Sequence, residues 1–375
     1  MLRLGLVGAG AMGRVHAGLI KASVQAHCVA LTEPERTRAA AFLRDLSGDS
    51  HRDDRAAMAH FASIDEMLTQ VPLDGIIIAS PNQHHEAHAL STIAAGIPTL
   101  IEKPISTDGA SGRRIADAAR ASGVPILIGH HRRHSPKIAQ AYARIRRGDL
   151  GTVRSVEGSF WLHKPRAYFD VAWRVTAGGG PVMINLIHDI DVLHHLCGDI
   201  VEVRAMSTRA ARGTAVEDTV VVLLRFADGA LGTLNASDAI SAPWSWEMTS
   251  GENPMYPPTS EGCYRIGGSL GSITLPQGAF WRHGASATAA SDASAEALHE
   301  PSWTAPLVVE RSHAPPHDPL QLQLAHFCRV ITREEAPLVT PADGLQALRV
   351  AEAILASAAQ DGTAVTIEPR ADHKT

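Results

Sequence analysis

The sequence predicts an α/β protein: an N-terminal Rossmann-type, doubly wound parallel sheet and a C-terminal α/β domain with an open, mainly antiparallel sheet. Three observations carry this expectation. Short apolar segments alternate with helical ones from residue 1 to about residue 130, the pattern of a parallel sheet with helical crossovers. A glycine-rich turn, Gly8-Ala9-Gly10-Ala11-Met12-Gly13, follows the first apolar segment. Beyond about residue 135, alternating segments joined by tight turns replace the strand–helix rhythm.

Residues 2–7 (LRLGLV) read as a buried strand and 14–22 as the helix after the glycine turn. Strands are expected at 28–32, 73–79, 97–101 and 124–129. Helices are expected at 83–95 and 107–122, with Gly96 and Gly123 in the position that closes a helix. Strands this apolar belong to a sheet covered on both faces. A helix at 136–147 opens on Pro136. Residues 153–162 alternate as a strand, and 219–226 and 230–236 flank Asp228-Gly229, a hairpin signal. Residues 264–266 and 272–275 form another expected pair. The Ala- and Ser-rich stretch 284–298 lacks an apolar period and reads as an exposed loop, and 343–359 as a final helix. The resulting division is a dinucleotide-binding domain at 1–130 and a second domain at 131–375, which the family resemblance given below marks as the substrate-binding and oligomerisation domain.

A chain of 375 residues can bury two sizeable cores. The net charge of −5 gives no reason to expect nucleic acid or an anionic membrane as a partner. No apolar stretch is long enough to span a bilayer, and the N-terminus is expected to enter a strand directly, so no signal peptide is expected. Cys28, Cys197, Cys263 and Cys328 lack paired spacing and read as reduced thiols of a cytoplasmic protein. Histidine is abundant, at 20 residues. His84 and His88 sit four apart, and His130, His131 and His134 cluster, but no nearby Cys or Glu completes a metal set. No metal is expected.

The chemistry concentrates at three places. In the glycine turn, Gly8 permits a tight turn, Gly10 lets a pyrophosphate approach the backbone, and Gly13 lets helix and strand pack closely. The helix start offers N–H groups to the phosphates, so Ala11 and Met12 belong to the same expected contact. Glu33 ends the second strand, placed to accept hydrogen bonds from ribose hydroxyls and to repel a 2′-phosphate. NAD is therefore favoured, with NADP left open by Arg36 and Arg38. Ser80-Pro81-Asn82 and Glu102-Lys103-Pro104 end two further strands, and Lys103 is suited to stabilise a developing alkoxide. In Gly178–Asp191 (GGGPVMINLIHDID), Asn185, His188 and Asp191 recur every third residue near one helix face. Histidine titrates near neutrality and suits acid–base work. Asp191 or Asn185 is expected to fix its tautomer, and His194 and His195 read as helix-surface residues.

Taken in order, these motifs resemble the Gfo/Idh/MocA oxidoreductases, the family of glucose–fructose oxidoreductase and inositol dehydrogenase. The glycine turn, Ser80-Pro81-Asn82 with His85, Glu102-Lys103-Pro104, Arg132-Arg133 with Pro136, the three glycines and His188 carry the resemblance over almost the whole chain. It implies a hydride transfer between NAD(P) and a secondary alcohol or ketone of a sugar, cyclitol or related cyclic compound. His188 would be the acid–base residue, and Lys103 would orient the substrate. Asn82, His85 and Glu102 would lie along the cofactor. It also implies a homodimer or homotetramer through the C-terminal sheet, with the last helix packing back near the first domain. The family tends to place an aspartate four residues before the histidine, where this chain has Ile184. Asn185 is expected to take over its hydrogen bonding. Tyr168, Trp173 and Arg174, in a stretch rich in aromatic and basic groups with Trp161, His163, Lys164 and Arg166, are the further candidates for substrate contact. Two other activities fit the same motifs: cleavage of a glycosidic bond with retained NAD, and cofactor sensing without turnover.

Overall fold

The computed structural model describes residues 1–47, 58–284, 303–312, 314 and 317–370. The chain forms two compact units. The first comprises residues 1–131 and 319–349, the second 132–318 and 350–375.

The first unit runs β1 (Leu2–Val7), α1 (Ala11–Ala22), β2 (Ala26–Thr32), α2 (Arg36–Ser47), β3 (Ala59–Phe61), α3 (Ile64–Gln70), β4 (Gly75–Ile78), α4 (His85–Ala94), β5 (Thr99–Ile101), α5 (Gly109–Ser122) and β6 (Ile126–Ile128). The sheet order is β3-β2-β1-β4-β5-β6, all parallel. The order reverses between β1 and β4, the place where such sheets bind ligands at their carboxyl ends. Leu4, Leu6, Ile76, Ile77, Ile78, Leu100, Ile101, Leu127 and Ile128 are all essentially buried, which explains why these strands read as unbroken apolar runs. The helices are punctuated as their sequences require. Asp108 caps α5 by accepting from Ser111 N–H at 2.9 Å, and Gly123 closes it with φ +66°. Helix α1 starts at Ala11, three residues earlier than expected, so Ala11, Met12 and Gly13 form its first turn.

The second unit holds α6 (Pro136–Arg146), β7 (Val153–Trp161), α7 (Ile187–Cys197), β8 (Ile200–Thr208), β9 (Thr219–Phe226), β10 (Leu231–Ser237), α8 (Trp246–Ser250), β11 (Tyr264–Gly268), β12 (Ser272–Leu275), β13 (Ala279–His283), β14 (Leu307–Arg311) and β15 (Val365–Thr366). Its nine strands are ordered β14-β13-β12-β11-β7-β10-β9-β8-β15. Only β7 and β10 pair in parallel among the described strands; the other neighbours are antiparallel. The Asp228-Gly229 hairpin joins β9 to β10, with Gly229 at φ +92°. Strands β9 and β10 alternate buried and exposed along their length, one face turned to the core. The expected loop at 284–298 lies, apart from Gly284, outside the described residues. Two later helices complete the order, α9 (Pro319–Ile331) and α10 (Pro341–Ala358). No helix among the described residues is long and apolar enough to cross a membrane.

Candidate active site

In the first unit the glycine turn sits at the switch point. Gly8 has φ +103°, and a side chain there would strike the Ala79–Ser80 backbone. The glycine therefore allows the ends of β1 and β4 to approach each other. A Cβ on Gly13 would run into the Gly8 carbonyl, so close packing of α1 on β1 requires that glycine too. A Cβ on Gly10 would meet nothing within 4 Å. The space over Gly10 opens at the start of α1, whose cap makes no side-chain hydrogen bond. This is the environment a pyrophosphate needs: backbone N–H donors, a helix N-terminus and no Cβ in the way.

Glu33 is buried at the end of β2. Its carboxylate accepts from the N–H of Ala9 and of Glu35, each at 3.1 Å, and lies 3.3 Å from Arg38. It thus ties the second strand to the glycine turn. Ser80 is buried, its hydroxyl 3.0 Å from His88 Nδ1, while Pro81 and Asn82 are exposed at the end of β4. Desolvation, aided by the neighbouring His84 and His85, pushes the His88 pKa down to about 4, so this ring is neutral at ordinary pH.

Two expected cofactor contacts have other partners. His85 is fully buried, with Nδ1 2.9 Å from the Pro104 carbonyl and Nε2 2.9 Å from the Ser80 carbonyl. Its ring spans the loops after β4 and β5 and has no surface left for a ligand, so its role is to position those loops. Burial holds its pKa below the ordinary value. Glu102 is likewise buried, its Oε1 2.7 Å from His16 Nε2 and its Oε2 accepting from Lys103 N–H at 3.2 Å. Burial alone would raise the Glu102 pKa, but His16 and the charge of Lys103 hold it below the ordinary carboxylate range. His16 was not singled out in the sequence. Its position one turn beyond Gly13, on the helix that begins at the glycine turn, is the signal that marks it. Lys103 itself is half-buried at the end of β5, and the Lys103–Pro104 peptide is cis.

In the second unit, the run from Gly178 to Asp191 folds as expected up to a point. A π-helical turn, Val182–Leu186, precedes α7. It breaks the regular spacing on which the common face of Asn185, His188 and Asp191 was based. The groups expected to orient His188 are occupied elsewhere. Both Asp191 oxygens accept from Arg133, at 2.9 and 2.7 Å, and Asn185 Oδ1 accepts from Lys164 Nζ at 2.6 Å. His188 is buried, and so is nearly the whole of α7. His194 is therefore not a surface residue: it is 3% exposed and 3.5 Å from Asp199. His195 stacks on Tyr142 at 4.2 Å. Asp189, next to the candidate base, lies 3.0 Å from buried Arg132, which also reaches Tyr264 and Glu247. Burial pushes Asp189 up to about 6 even against Arg132, because one guanidinium is shared between two carboxylates.

Gly180 is required by its surroundings, since a Cβ there would strike the Glu217 carboxylate, which accepts from Val182 N–H at 3.1 Å. Burial raises the Glu217 pKa. The aromatic–basic stretch forms two short 3-10 turns, Arg166–Asp170 and Ala172–Val175. Here Arg174 lies 3.9 Å from the Tyr168 ring centroid and 5.6 Å from that of Trp173, and Lys164 Nζ lies 4.8 Å from the Tyr168 centroid. The structure thus brings Tyr168, Trp173 and Arg174 together, and joins Asn185 to Tyr168 through Lys164. Trp246 is buried and stacks on Tyr264, whereas Trp244 is partly exposed and meets Trp161 edge-on.

The strand order and the glycine turn define a Rossmann-type unit with a ligand crevice at its switch point. Residues 2–130 match the oxidoreductase family with an NAD-binding Rossmann fold, and residues 138–274 match the GFO/IDH/MocA C-terminal domain. The chain belongs to the GFO/IDH/MocA family, and its first unit is an NAD-binding Rossmann domain. It is 30% identical to the rhizopine catabolism protein MocA of Rhizobium meliloti over 237 residues, 62% of this chain and 70% of that one. It is 29% identical to the inositol 2-dehydrogenase of Corynebacterium glutamicum over 235 residues, 61% of this chain; the match spans 65% of that relative's length. The WlbA dehydrogenase from Bordetella pertussis, solved in complex with NADH and UDP-GlcNAcA, shares the fold, with a TM-score of 0.73, 23% identity and coverage of 98% of this chain and 99% of that one.

Proposed function

We propose that this protein is an NAD-dependent dehydrogenase acting on a secondary alcohol of a cyclitol, sugar or related cyclic compound. The observation that carries the reading is the place of Lys103. It follows β5 at the carboxyl edge of the NAD-binding sheet, its backbone fixed through Glu102 and His16 on one side and through Pro104 and His85 on the other. Relatives named as inositol dehydrogenases support a cyclitol-like substrate.

Bound NAD supplies the hydride acceptor. The backbone at Gly10 and the first turn of α1 would hold its pyrophosphate, and Glu33 would accept from its adenosine ribose. The Lys103 ammonium donates to the substrate hydroxyl oxygen and stabilises the negative charge that develops there. His188 takes the hydroxyl proton. Tyr168, Trp173, Arg174 and Asn185 contact the rest of the ring. His188→Asn and Lys103→Met should each lower kcat by roughly 10² or more, with NAD affinity retained in the His188 variant. Full turnover in both variants would sink this mechanism.

The outer sheet face supports a homo-oligomer. Met206, Val221, Leu223 and Leu231 are all more than 45% exposed, and Met206 and Val221 stand opposite each other in neighbouring strands. An apolar patch on an otherwise alternating strand pattern marks a docking surface, and a second copy of the chain is its occupant. The four free cysteines fit a reducing compartment, and we assign the cytoplasm.

A further inference from the structure

We propose that Asn185 serves the substrate as a hydrogen-bond donor, its amide locked in that sense by Lys164, and that the site therefore selects a ring whose matching group is an acceptor without a proton of its own, the carbonyl oxygen of a cyclic hydroxyketone. The inference rests on the dehydrogenase reading, in which Asn185 contacts the ring, and adds to it a direction of hydrogen bonding and a substrate class.

The two arms of an asparagine amide have nearly the same shape, and their partners decide which way round the group sits. Lys164 Nζ stands 2.6 Å from the Asn185 amide. An ammonium has N–H donors and no lone pair, so the atom that faces it is Oδ1. This holds whatever else the ammonium touches. Lys164 is ion-paired with Asp238 at 3.9 Å, interacts electrostatically with Glu217 and lies 4.8 Å from the Tyr168 ring centroid. Its backbone is held too: its N–H donates to the Asp238 carbonyl at 2.8 Å, and its carbonyl accepts from Arg212 Nη2 at 3.0 Å. The donor that orients Asn185 is therefore fixed in place and 6% exposed.

With Oδ1 turned to Lys164, the other arm of the planar amide diverges from it and carries two N–H donors. They have no acceptor among the described residues, and Asn185 is half-buried three residues before His188. The carboxylates of this region already serve protein donors. Asp238 accepts from Arg212 Nε at 2.6 Å, Asp218 from the N–H groups of Ala211 and Arg212, Glu217 from Val182 N–H, and Asp191 from Arg133. The side chain of Ile184 offers neither donor nor acceptor. A substrate hydroxyl set against Asn185 would accept from the amide, but its own proton would then need an acceptor, and an unmet donor in a half-buried site is costly. A carbonyl oxygen accepts the same hydrogen bond and brings no proton. Discrimination of this kind comes from matching donors to acceptors rather than from size.

The test is calorimetric titration of the NAD-loaded protein with 4-hydroxycyclohexanone and, separately, with 1,4-cyclohexanediol. The hydroxyketone should bind about fivefold more tightly. Asn185→Asp keeps the size of the side chain and its contact with Lys164 but presents acceptors alone, so the preference should vanish or reverse. That comparison also removes the difference in hydration between ketone and alcohol, which is the same for both proteins. Lys164→Arg retains a donor toward Oδ1 and should retain the preference, whereas Lys164→Met releases the amide and should weaken it. Because Asn185→Asp is close to isosteric, it carries the test even if the buried Lys164→Met variant does not fold. Equal affinity for the two rings, binding of neither, or a preference that Asn185→Asp leaves intact overturns the proposal. Nicotinamide absorbance in the same samples reads the other claim: a preference for the hydroxyketone without reduction of NAD by either alcohol would retain the assignment of Asn185 and reject the dehydrogenase reading.

Discussion

Glu33 is the residue we propose ties a strand end to ligand choice. Its carboxylate is held by Ala9 N–H within the glycine turn and by Arg38, so a 2′-phosphate would meet a negative charge fixed in place. Replacing it with serine removes that charge from beside Arg38. In Glu33→Ser the ratio of kcat/KM for NADP to that for NAD should rise by roughly tenfold or more; an unchanged ratio would show that Glu33 does not select the cofactor. This residue was legible in the sequence because its spacing from the glycine turn follows from one βαβ unit. His85 and Glu102 were expected along the cofactor from the family resemblance, and nothing in the sequence marked the protein partners they take. Only the folded chain shows that their polar atoms meet Pro104, Ser80 and His16, partners drawn from separate strand ends and a helix.

Among the elements, α7 carries the most chemistry and was read least completely. Periodicity assumes a uniform turn, and the π-helical turn before α7 defeats it: Asn185 turns to Lys164 while Asp191 turns to Arg133. The helix is buried nearly all round, so no polar face betrayed which histidines lie inside. The C-terminal end of α7 is tied down through Asp199, which accepts from Arg370 N–H at 3.1 Å and Nε at 2.7 Å. Burial alone would raise the Asp199 pKa, but the His194 ring and the Arg370 guanidinium bring it to about 2, from 3.8. An acid with a depressed folded-state pKa stabilises above its unfolded value, and that stability is lost as pH falls through the folded value. The contribution, about 2 kcal/mol, should be complete above about pH 4 and gone by about pH 2. In urea melts, the stability difference between the wild type and Asp199→Asn should therefore narrow over that window. A difference independent of pH would show that the ion pair is not its source. By contrast β1, β9, α5 and the 228–229 hairpin were readable almost to the residue, because apolar runs, strict alternation and capping residues are local signals. Strands β3 and β15, of three and two residues, are too short to carry one.

On the scale of the whole molecule, the two halves of the chain differ as their sequences do. The first is a parallel sheet buried on both sides; the second is an open sheet with one face turned outward. That outer face was expected to join subunits on the strength of the family resemblance, and Met206, Val221 and Leu223 give the expectation a physical basis in exposed apolar side chains. Leu223→Asp should shift the sedimentation coefficient from that of a dimer or tetramer toward the monomer. A wild-type protein that already sediments as a monomer would reject the interface.

The most direct measurement is nicotinamide absorbance on mixing the purified protein with NAD and a series of cyclic alcohols, from inositols and sugars to hydroxylated ring acids. A substrate-dependent rise is expected, and it should be lost in His188→Asn while NAD still binds. NAD binding without reduction by any member of the series, or a rise that survives the loss of His188, would contradict it.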